Sequence, residues 1–273
     1  MLKFSIVTPN YNMGPYLEDT IKSVIKNLRA GDEYYIIDGG STDNSVEIIL
    51  KYEKFLTGWI SEKDKGYAHA LSKGFEMTNC QLQYWVNSGD LILLDALDRA
   101  RIFFSQTGAD LLFGDDLYID DYGMVIQVTN GHVSELKEFM LNGGWTPLQD
   151  ACFWKSSLYK KVGGIDITLK NAADYDLFLR MALQGRAQYS PVIYSAFRRH
   201  VGQKSIKNLD EYKKERAKCR ERELVRAYAG RPFYKVFITT FYWFKVRWRV
   251  RVKARKSSTP KFRGQFAAEI KSQ

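Results

Sequence analysis

Six short segments, each tied to an apolar run, constrain what this chain can fold into. They are SIVTPNYN (5–12), IIDGGSTDNS (36–45), SEKDKGYAHALSKGF (61–75), YWVNSGD (84–90), AADYDLFLR (172–180) and FRRH (197–200). Small, Asp or Asn residues end the runs, as they do where successive strands of a sheet bring ligand-binding groups to one edge. The series predicts an α/β enzyme that holds a nucleotide.

Strand and helix patterns alternate along the first 120 residues. FSIVTP and YYIID are typical of buried strands, and Tyr16 to Leu28 repeats apolar residues at the spacing of one helix face. Ser41 or Thr42 is expected to cap a helix that runs through Lys54. The βαβ progression predicts a mainly parallel, Rossmann-like sheet with helices on both faces.

Positive charge is concentrated at the C-terminus. The formal net charge is +10, and residues 231–273 contain twelve Lys or Arg against one acid, Glu269. The run 236–244 is too short to cross a bilayer, but the cations and aromatic residues of 231–256 favour attachment to an anionic membrane surface. A solvated basic helix or an oligomer contact would have a similar composition. The oligomeric state stays open.

The cysteines and the N-terminus bear on the compartment. Cys80, Cys152 and Cys219 lie far apart and lack metal-ligand spacing, so neither a disulfide framework nor a zinc site is indicated. Lys3 leads straight into a strand-like run without a signal-like apolar region. We expect a cytoplasmic protein that contacts the inner face of the cell membrane through its tail.

The first two strand ends predict a nucleobase site. The first loop offers backbone groups and an aromatic ring, through Thr8, Pro9, Asn10 and Tyr11. Asp38 ends the second strand, where a carboxylate can accept the imide N–H of uracil. The sequence Asp38 to Ser41 is equally typical of a plain turn with a helix cap, and its pairing with the first loop favours the nucleotide. G-x-G-x-x-G after the first strand and the P-loop motif are both absent.

The segment NSGD predicts a metal site. Asn87, Ser88 and Asp90 follow a strongly apolar strand, where oxygen ligands suit Mg²⁺ or Mn²⁺ bound to a diphosphate. A polar turn before the next helix would have the same composition. His200, next to Arg198 and Arg199, is expected to complete a phosphate and metal site, although an isolated histidine is more often structural.

Asp174 stands at the predicted start of a helix. The helix dipole favours an ionised carboxylate there, and a helix cap is the alternative role. Asp176 and Arg180 have the i,i+4 spacing of an ion pair on a helix face, to which we assign no chemistry.

Taken together, the segments resemble the family 2 glycosyltransferases of the GT-A fold, particularly bacterial enzymes of surface-polysaccharide synthesis. The resemblance covers residues 3–205. It implies a GT-A domain at 1–205, with a donor half at about 1–115 and an acceptor half at 116–205, followed by a helical, basic and aromatic extension at 206–273.

The resemblance also implies roles for individual residues. The donor-nucleotide residues would be Thr8, Pro9, Asn10, Tyr11, Asp38, Gly39, Ser41, Asp64, Gly66, Asn87 and Ser88. The metal ligands would be Asp90 and His200, with Mn²⁺ or Mg²⁺ as cofactor, and Asp174 would be the general base. Trp145, Gln149, Arg198 and Arg199 would lie on the acceptor or leaving-group side.

The implied reaction is an inverting transfer from a nucleoside-diphosphate sugar, with UDP expected, to a hydroxyl of a glycan or lipid-linked acceptor. Two positions depart from the family pattern: Gly89 replaces an aspartate of N-S-D-D, and Ala173 stands where many relatives have Glu.

Three rival functions are weighed against this interpretation. The first is a sugar-nucleotide binder without catalysis, which Gly89 would favour. The second is a nucleic-acid-binding protein that uses the basic tail, which leaves the six segments without a purpose. The third is a nucleotidyltransferase, which would need a glycine-rich, Lys-containing N-terminal loop that is absent here.

Overall fold

The computed structural model describes residues 1–200 and 208–228, together with Gln265, Ala267 and Ile270. The strands are β1 (Phe4–Asn10), β2 (Glu33–Asp38), β3 (Gly58–Ser61), β4 (Leu82–Trp85), β5 (Leu91–Ile92), β6 (Leu111–Ile119), β7 (Val125–Thr129), β8 (Cys152–Lys155) and β9 (Ala187–Arg198). The helices are α1 (Gly14–Ile25), α2 (Ser45–Tyr52), α3 (Tyr67–Glu76), α4 (Ala96–Thr107), α5 (Leu136–Leu141), α6 (Ser156–Lys161), α7 (Ala173–Gln184) and α8 (Leu209–Tyr228).

These strands form one mixed sheet in the order β3-β2-β1-β4-β8-β6-β9-β5, with β7 paired to β6. Neighbours among β3, β2, β1 and β4 are parallel, as are β6 and β9. The pairings of β8, β5 and β7 are antiparallel. The expected mainly parallel α/β sheet is confirmed, and the carboxyl ends of β1, β2 and β4 lie at one edge.

Helices cover both faces of the sheet, as the sequence predicted. Side chains alternate along each strand, so Ile6 and Tyr84 pack with α1, α2 and α4, whereas Val7 and Trp85 pack with α3, α6 and α7. The strands are buried on both sides, which explains their continuous apolar runs.

The start of α2 corrects one sequence expectation. Neither Ser41 nor Thr42 caps this helix, which begins at Ser45 with no side-chain hydrogen bond at its N-cap. The Ser41 hydroxyl instead donates to Asp38 at 2.5 Å and accepts the backbone N–H of Asn12 at 2.8 Å. A local cap competes here with a tighter loop that joins two strand ends.

Helix α7 is anchored to the sheet by aromatic packing. Phe178 stacks on Trp85 of β4 with ring centroids 5.8 Å apart, and it contacts Trp154 edge-on at 5.9 Å. Arg180 binds Asp176 at 2.8 Å, so the predicted ion pair exists, and it is buried rather than exposed. A helix buried nearly all round has a fixed position, which matters because Asp174 lies in its first turn.

The extension returns to the domain in the parts that are described. Helix α8 packs against α7 and α5. Ala267 and Ile270 lie in an apolar cluster with Leu91 and Leu93, beside the end of NSGD. The three cysteines are buried and form no disulfide bonds. No helix in the described ranges is long and apolar enough to span a membrane.

Candidate active site

Asp38 holds three strand ends together. Its carboxylate is fully buried and accepts hydrogen bonds from Asn10 Nδ2 at 2.7 Å, Ser61 Oγ at 2.7 Å and Ser41 N at 2.9 Å, besides the Ser41 hydroxyl and Gly40 N. Burial raises the pKa of Asp38, but these hydrogen bonds outweigh it and lower the pKa below its usual value. Both oxygens are therefore engaged by the loops after β1, β2 and β3.

The loop after β3 contacts the loop after β2 at Gly39. A Cβ atom on Gly39 would lie 2.8 Å from Asp64 Oδ2, so a larger residue here would displace the Asp64 side chain. Asp64 Oδ1 accepts the N–H of Gly66 at 2.7 Å, and Gly66 starts α3 with φ +111°. The structure thus brings the predicted residues Gly39, Asp64 and Gly66 next to the Asp38 loop.

The first loop leaves an aromatic ring free beside this network. Thr8 and Asn10 are buried, and the Thr8 hydroxyl hydrogen-bonds Tyr34 at 3.1 Å. Tyr11 is 61% exposed, although it follows a buried strand directly. Among the predicted nucleotide residues of this loop, Tyr11 offers an open flat face.

The NSGD segment forms a tight turn shortly after the end of β4. Ser88 Oγ donates to the carbonyl of Pro9 at 3.0 Å, which ties the turn to β1. Gly89 has φ +108°, a conformation that favours glycine. Asn87 Nδ2 bridges Asp90 Oδ2 at 3.2 Å and Gln149 Oε1 at 2.7 Å, so four predicted residues from two chain regions meet here.

Arg198 supports the NSGD turn through hydrogen bonds to Gly89 and Asp90. Its side chain is 1% exposed and donates to the carbonyls of Gly89 at 2.8 Å and Asp121 at 2.8 Å. Its backbone N–H donates to Asp90 Oδ1 at 2.9 Å. The guanidinium contacts protein carbonyls and the carboxylate of Asp19 at 3.1 Å, so this geometry corresponds to fixing the turn, a role that the sequence did not separate from contact with the leaving group.

The two residues after Arg198 differ in surroundings. Arg199 is exposed, and its guanidinium lies over the Tyr118 ring at 4.0 Å. The His200 ring lies 5.5 Å from that of Tyr16, which in turn lies under the guanidinium of Arg198 at 4.9 Å. Tyr16 therefore places His200 on the side of the turn that carries Arg198.

Three buried carboxyl groups, those of Asp90, Asp116 and Asp150, lie in or near the NSGD turn. Burial raises the pKa of Asp90 well above its usual value, and the nearby Asp150 raises it further. Burial also raises the pKa of Asp150 to about 6, and burial together with the negative charge of Asp150 raises the pKa of Asp116 well above its usual value. Asp116 and Asp150 were not predicted as site residues, because no sequence pattern distinguishes a buried carboxyl from an exposed one.

The described residues near the NSGD turn offer a divalent cation only part of a coordination site. The carboxylate of Asp90 and the imidazole of His200 are of types that Mn²⁺ accepts. Residues 1–200 and 208–228 nevertheless contain no group of three or more His, Cys, Asp or Glu arranged to hold a metal ion. Asp90 and His200 therefore supply two donors of a metal-binding type, and the described residues do not complete a metal site.

Asp174 lies in the first turn of α7, as the sequence predicted. Its Oδ1 is inaccessible to solvent and has no hydrogen-bond partner among the described residues. Burial raises the pKa of Asp174 to about 6, and the negative charges of Asp176 and Glu215 add to the increase. A carboxyl group with a raised pKa and a free oxygen is suited to accept a proton near neutral pH.

The predicted acceptor residues Trp145 and Gln149 contact different parts of the structure. Trp145 is 47% exposed, with its ring stacked on Tyr212 at 5.9 Å and covered by the Arg216 guanidinium at 4.3 Å. Gln149 donates to the carbonyl of Trp85 at 3.2 Å and so belongs to the NSGD turn. Trp145 therefore joins α8, whereas Gln149 joins the sheet edge.

Solved structures share this fold. The chain superposes on TarS of S. aureus in complex with UDP-GlcNAc with a TM-score of 0.67 and 18% identity, covering 82% of this chain and 67% of TarS 1–349. It also superposes on the mannosyltransferase PcManGT of Pyrobaculum calidifontis, in complex with GDP-Man and Mn²⁺, with a TM-score of 0.61 and 14% identity over 90% of this chain and 72% of that one. The fold is that of the GT-A glycosyltransferases.

Sequence relatives identify the family. The family model for glycosyl transferase family 2 matches residues 5–153. An uncharacterised glycosyltransferase of Mycobacterium tuberculosis is 31% identical over 184 residues, 66% of this chain and 68% of its own length. TarP of Staphylococcus aureus, a poly(ribitol-phosphate) beta-N-acetylglucosaminyltransferase, is 29% identical over 119 residues, 42% of this chain and 36% of its own length. The chain belongs to glycosyl transferase family 2.

Proposed function

We propose that the protein is an inverting glycosyltransferase that moves a sugar from a nucleoside-diphosphate sugar, UDP-linked, to a hydroxyl of a glycan or lipid-linked acceptor in surface-polysaccharide synthesis. The observation that carries the proposal is the carboxyl group of Asp174, which has a raised pKa and an unpartnered oxygen on a helix fixed against β4. TarS bound to UDP-GlcNAc and the name of TarP support the donor and the pathway.

The donor half binds the nucleotide through the loops that Asp38 organises. Tyr11 stacks on the base, and Asp64, Gly39 and Gly66 border it on the opposite loop. The backbone amides of a compact, hydrogen-bonded network keep their positions before the donor arrives, which limits the ordering cost of binding. Asp38 contributes mainly by holding these loops.

Chemistry takes place between the donor and Asp174. The acceptor hydroxyl gives its proton to the Asp174 carboxylate as its oxygen forms a bond to the anomeric carbon. The bond from that carbon to the diphosphate oxygen breaks at the same time, so the configuration inverts and no covalent sugar–enzyme bond is needed.

Asp90 and His200 would hold Mn²⁺ or Mg²⁺ together with the donor diphosphate. When bound, the cation would neutralise negative charge that develops on the diphosphate. Arg198 keeps Asp90 in place through its backbone N–H and its bond to the Gly89 carbonyl. Trp145 would line the acceptor side.

Replacing Tyr11 with alanine is expected to weaken UDP binding without changing the melting temperature. Loss of a base–aromatic stack costs about 1–3 kcal/mol, which corresponds to about 5- to 150-fold in dissociation constant. The ring is exposed, so little packing is lost with it. Calorimetry with UDP and Mn²⁺ measures the affinity, and Phe55→Ala, an exposed aromatic after α2, is the matched control. Equal UDP affinity in wild type and Tyr11→Ala would place the base elsewhere.

Residues 231–256 lie outside the described residues, and we propose that they attach the enzyme to an anionic membrane face. The full chain is expected to sediment with vesicles that contain phosphatidylglycerol and to stay in solution with pure phosphatidylcholine. Each Lys or Arg near such a surface contributes about 1 kcal/mol, so changing Arg247, Arg249 and Arg251 to glutamine should release most of the protein. Equal recovery with both vesicle types would contradict the attachment.

A catalytically inactive sugar-nucleotide binder remains the second candidate, favoured by Gly89, which removes one carboxylate from the turn. The two functions differ in a simple measurement. Incubation with a panel of UDP- and GDP-sugars and Mn²⁺ should release the free nucleoside diphosphate at a slow, enzyme-dependent rate. Tight binding without release from any donor in the panel, with or without acceptor glycans, would favour the inactive binder.

A further inference from the structure

A glutamate of the extension binds the loop that leads into α7. Glu215 of α8 accepts three backbone N–H groups in succession, from Lys170 at 3.2 Å, Asn171 at 2.8 Å and Ala172 at 2.9 Å. Ala172 is the N-cap position of α7, and its methyl side chain cannot accept a hydrogen bond from the helix. Glu215 therefore binds the N–H of Ala172, one of the donors that α7 cannot satisfy internally, together with the two N–H groups that precede it in the loop.

A tyrosine braces the same loop from the other side. The Tyr67 hydroxyl donates to the carbonyl of Asn171 at 3.1 Å and accepts the N–H of Ala173 at 3.0 Å. Tyr67 is the first residue of α3, directly after Gly66 of the donor loop. The loop before Asp174 is thus held between the donor half and α8.

Other contacts keep α8 in register with α7. Arg222 binds Asp176 and also reaches Asp166 at 3.5 Å. Cys219, one turn beyond Glu215, is buried in the same core as α7. Because Arg222 and Cys219 hold α8 against α7 and the loop before it, Glu215 has little freedom to move away from that loop.

We propose that Glu215 is a positioning residue for the catalytic carboxylate: by binding the 170–172 amides it fixes the start of α7, and hence the direction of Asp174 toward the acceptor hydroxyl. The inference rests on the proposed function, since it gives Asp174 the role of base. It extends the active site to a helix that follows residue 205, outside the segments by which the family was recognised.

The expected signature is a loss of turnover with little loss of donor binding. Glu215→Ala frees three amides and lets the loop shift, and displacement of a reacting group by about 1 Å can cost on the order of 10²-fold in rate. The kcat for transfer should fall by about that factor, while the UDP affinity measured by calorimetry stays within about twofold. Glu215→Gln keeps one oxygen acceptor and should recover part of the rate. Glu211→Ala, which removes an exposed carboxylate from the same helix, is the control.

A double-mutant cycle separates positioning from general loss of structure. If Glu215 acts through Asp174, Glu215→Ala should lower the residual rate of Asp174→Asn by less than about threefold, because the base is already absent. A full second loss of about 10²-fold in that background would overturn the proposal while leaving the proposed function intact. Wild-type transfer by Asp174→Asn alone would instead remove the proposed function itself. An unchanged kcat in Glu215→Ala would also overturn the positioning role.

Discussion

Transfer by Asp174→Asn is expected to fall by about 10²–10⁴-fold, the usual contribution of a general base. Asparagine has nearly the same size and cannot accept the proton from the acceptor hydroxyl, so UDP affinity should stay close to that of the wild type. Transfer assays and calorimetry on one preparation measure both quantities. Asp176→Asn is a poor control because Asp176 holds Arg180 and Arg222; Asp210→Asn, an exposed carboxylate that pairs with Lys213 on α8, is better suited.

The same carboxyl group sets the pH dependence. Burial raises the pKa of Asp174 to about 6, so transfer should fall about tenfold per pH unit below that value and level off above it. An acid whose pKa is higher in the folded state than in the unfolded state weakens the fold as pH rises from about 4 to about 6. Asp174→Asn removes that loss, so its melting temperature at neutral pH should not fall. A role as helix cap predicts the reverse: nearly normal turnover and a stability cost of up to about 1 kcal/mol.

Asp90→Asn is expected to abolish the stimulation of UDP binding by Mn²⁺ and to lower transfer by at least about 10²-fold. A bound cation contributes several kcal/mol to stabilising the leaving group, and the turn offers no other carboxylate at positions 87–89 to replace Asp90. The asparagine side chain can still accept the backbone N–H of Arg198, while Asn87 Nδ2 loses Asp90 as a partner and keeps Gln149 Oε1.

Calorimetric titration of UDP with and without Mn²⁺ makes the measurement. Asp115→Asn, which removes a buried carboxyl group bonded to Gly131 and Tyr189, controls for loss of buried charge. His200→Ala should weaken the Mn²⁺ effect less strongly. Retention of the full Mn²⁺ effect by both Asp90→Asn and His200→Ala would remove the metal site.

The sequence allowed the sheet and the strand-end loops to be predicted because both depend on local patterns. Continuous apolar runs identify strands buried on two faces, and Asp174 was placed at a helix start by the apolar periodicity that follows it. The Asp38 network could not be predicted in the same way, because Ser41 looks like a cap from its neighbours alone. Its hydroxyl binds Asp38 in a network to which Asn12 and Ser61, from distant parts of the chain, also contribute.

Residues that act through long-range contacts had no local signal. Glu215 lies in a helix of mixed charge, where nothing marks it apart from Glu211 or Glu221, yet its partners are 43–45 residues earlier. Arg198 was recognised as a residue near the site, but its burial under Gly89 and Asp121 depends on how β9 meets the β6–β7 turn. A pattern of residue types cannot distinguish a guanidinium that meets a ligand from one that supports a turn.

The backbone of Gly89 bears on how natural variants of this turn can be exchanged. At φ +108° a side chain is strained, and a Cβ atom would lie 3.2 Å from Met13 Cε. Gly89→Asp, which restores the letters N-S-D-D, would therefore incur about 1–3 kcal/mol of backbone strain or force another turn geometry. That second geometry would move the carbonyl that Arg198 binds. An aspartate at position 89 of this chain would therefore have to be introduced together with changes to the turn and to its contact with Arg198.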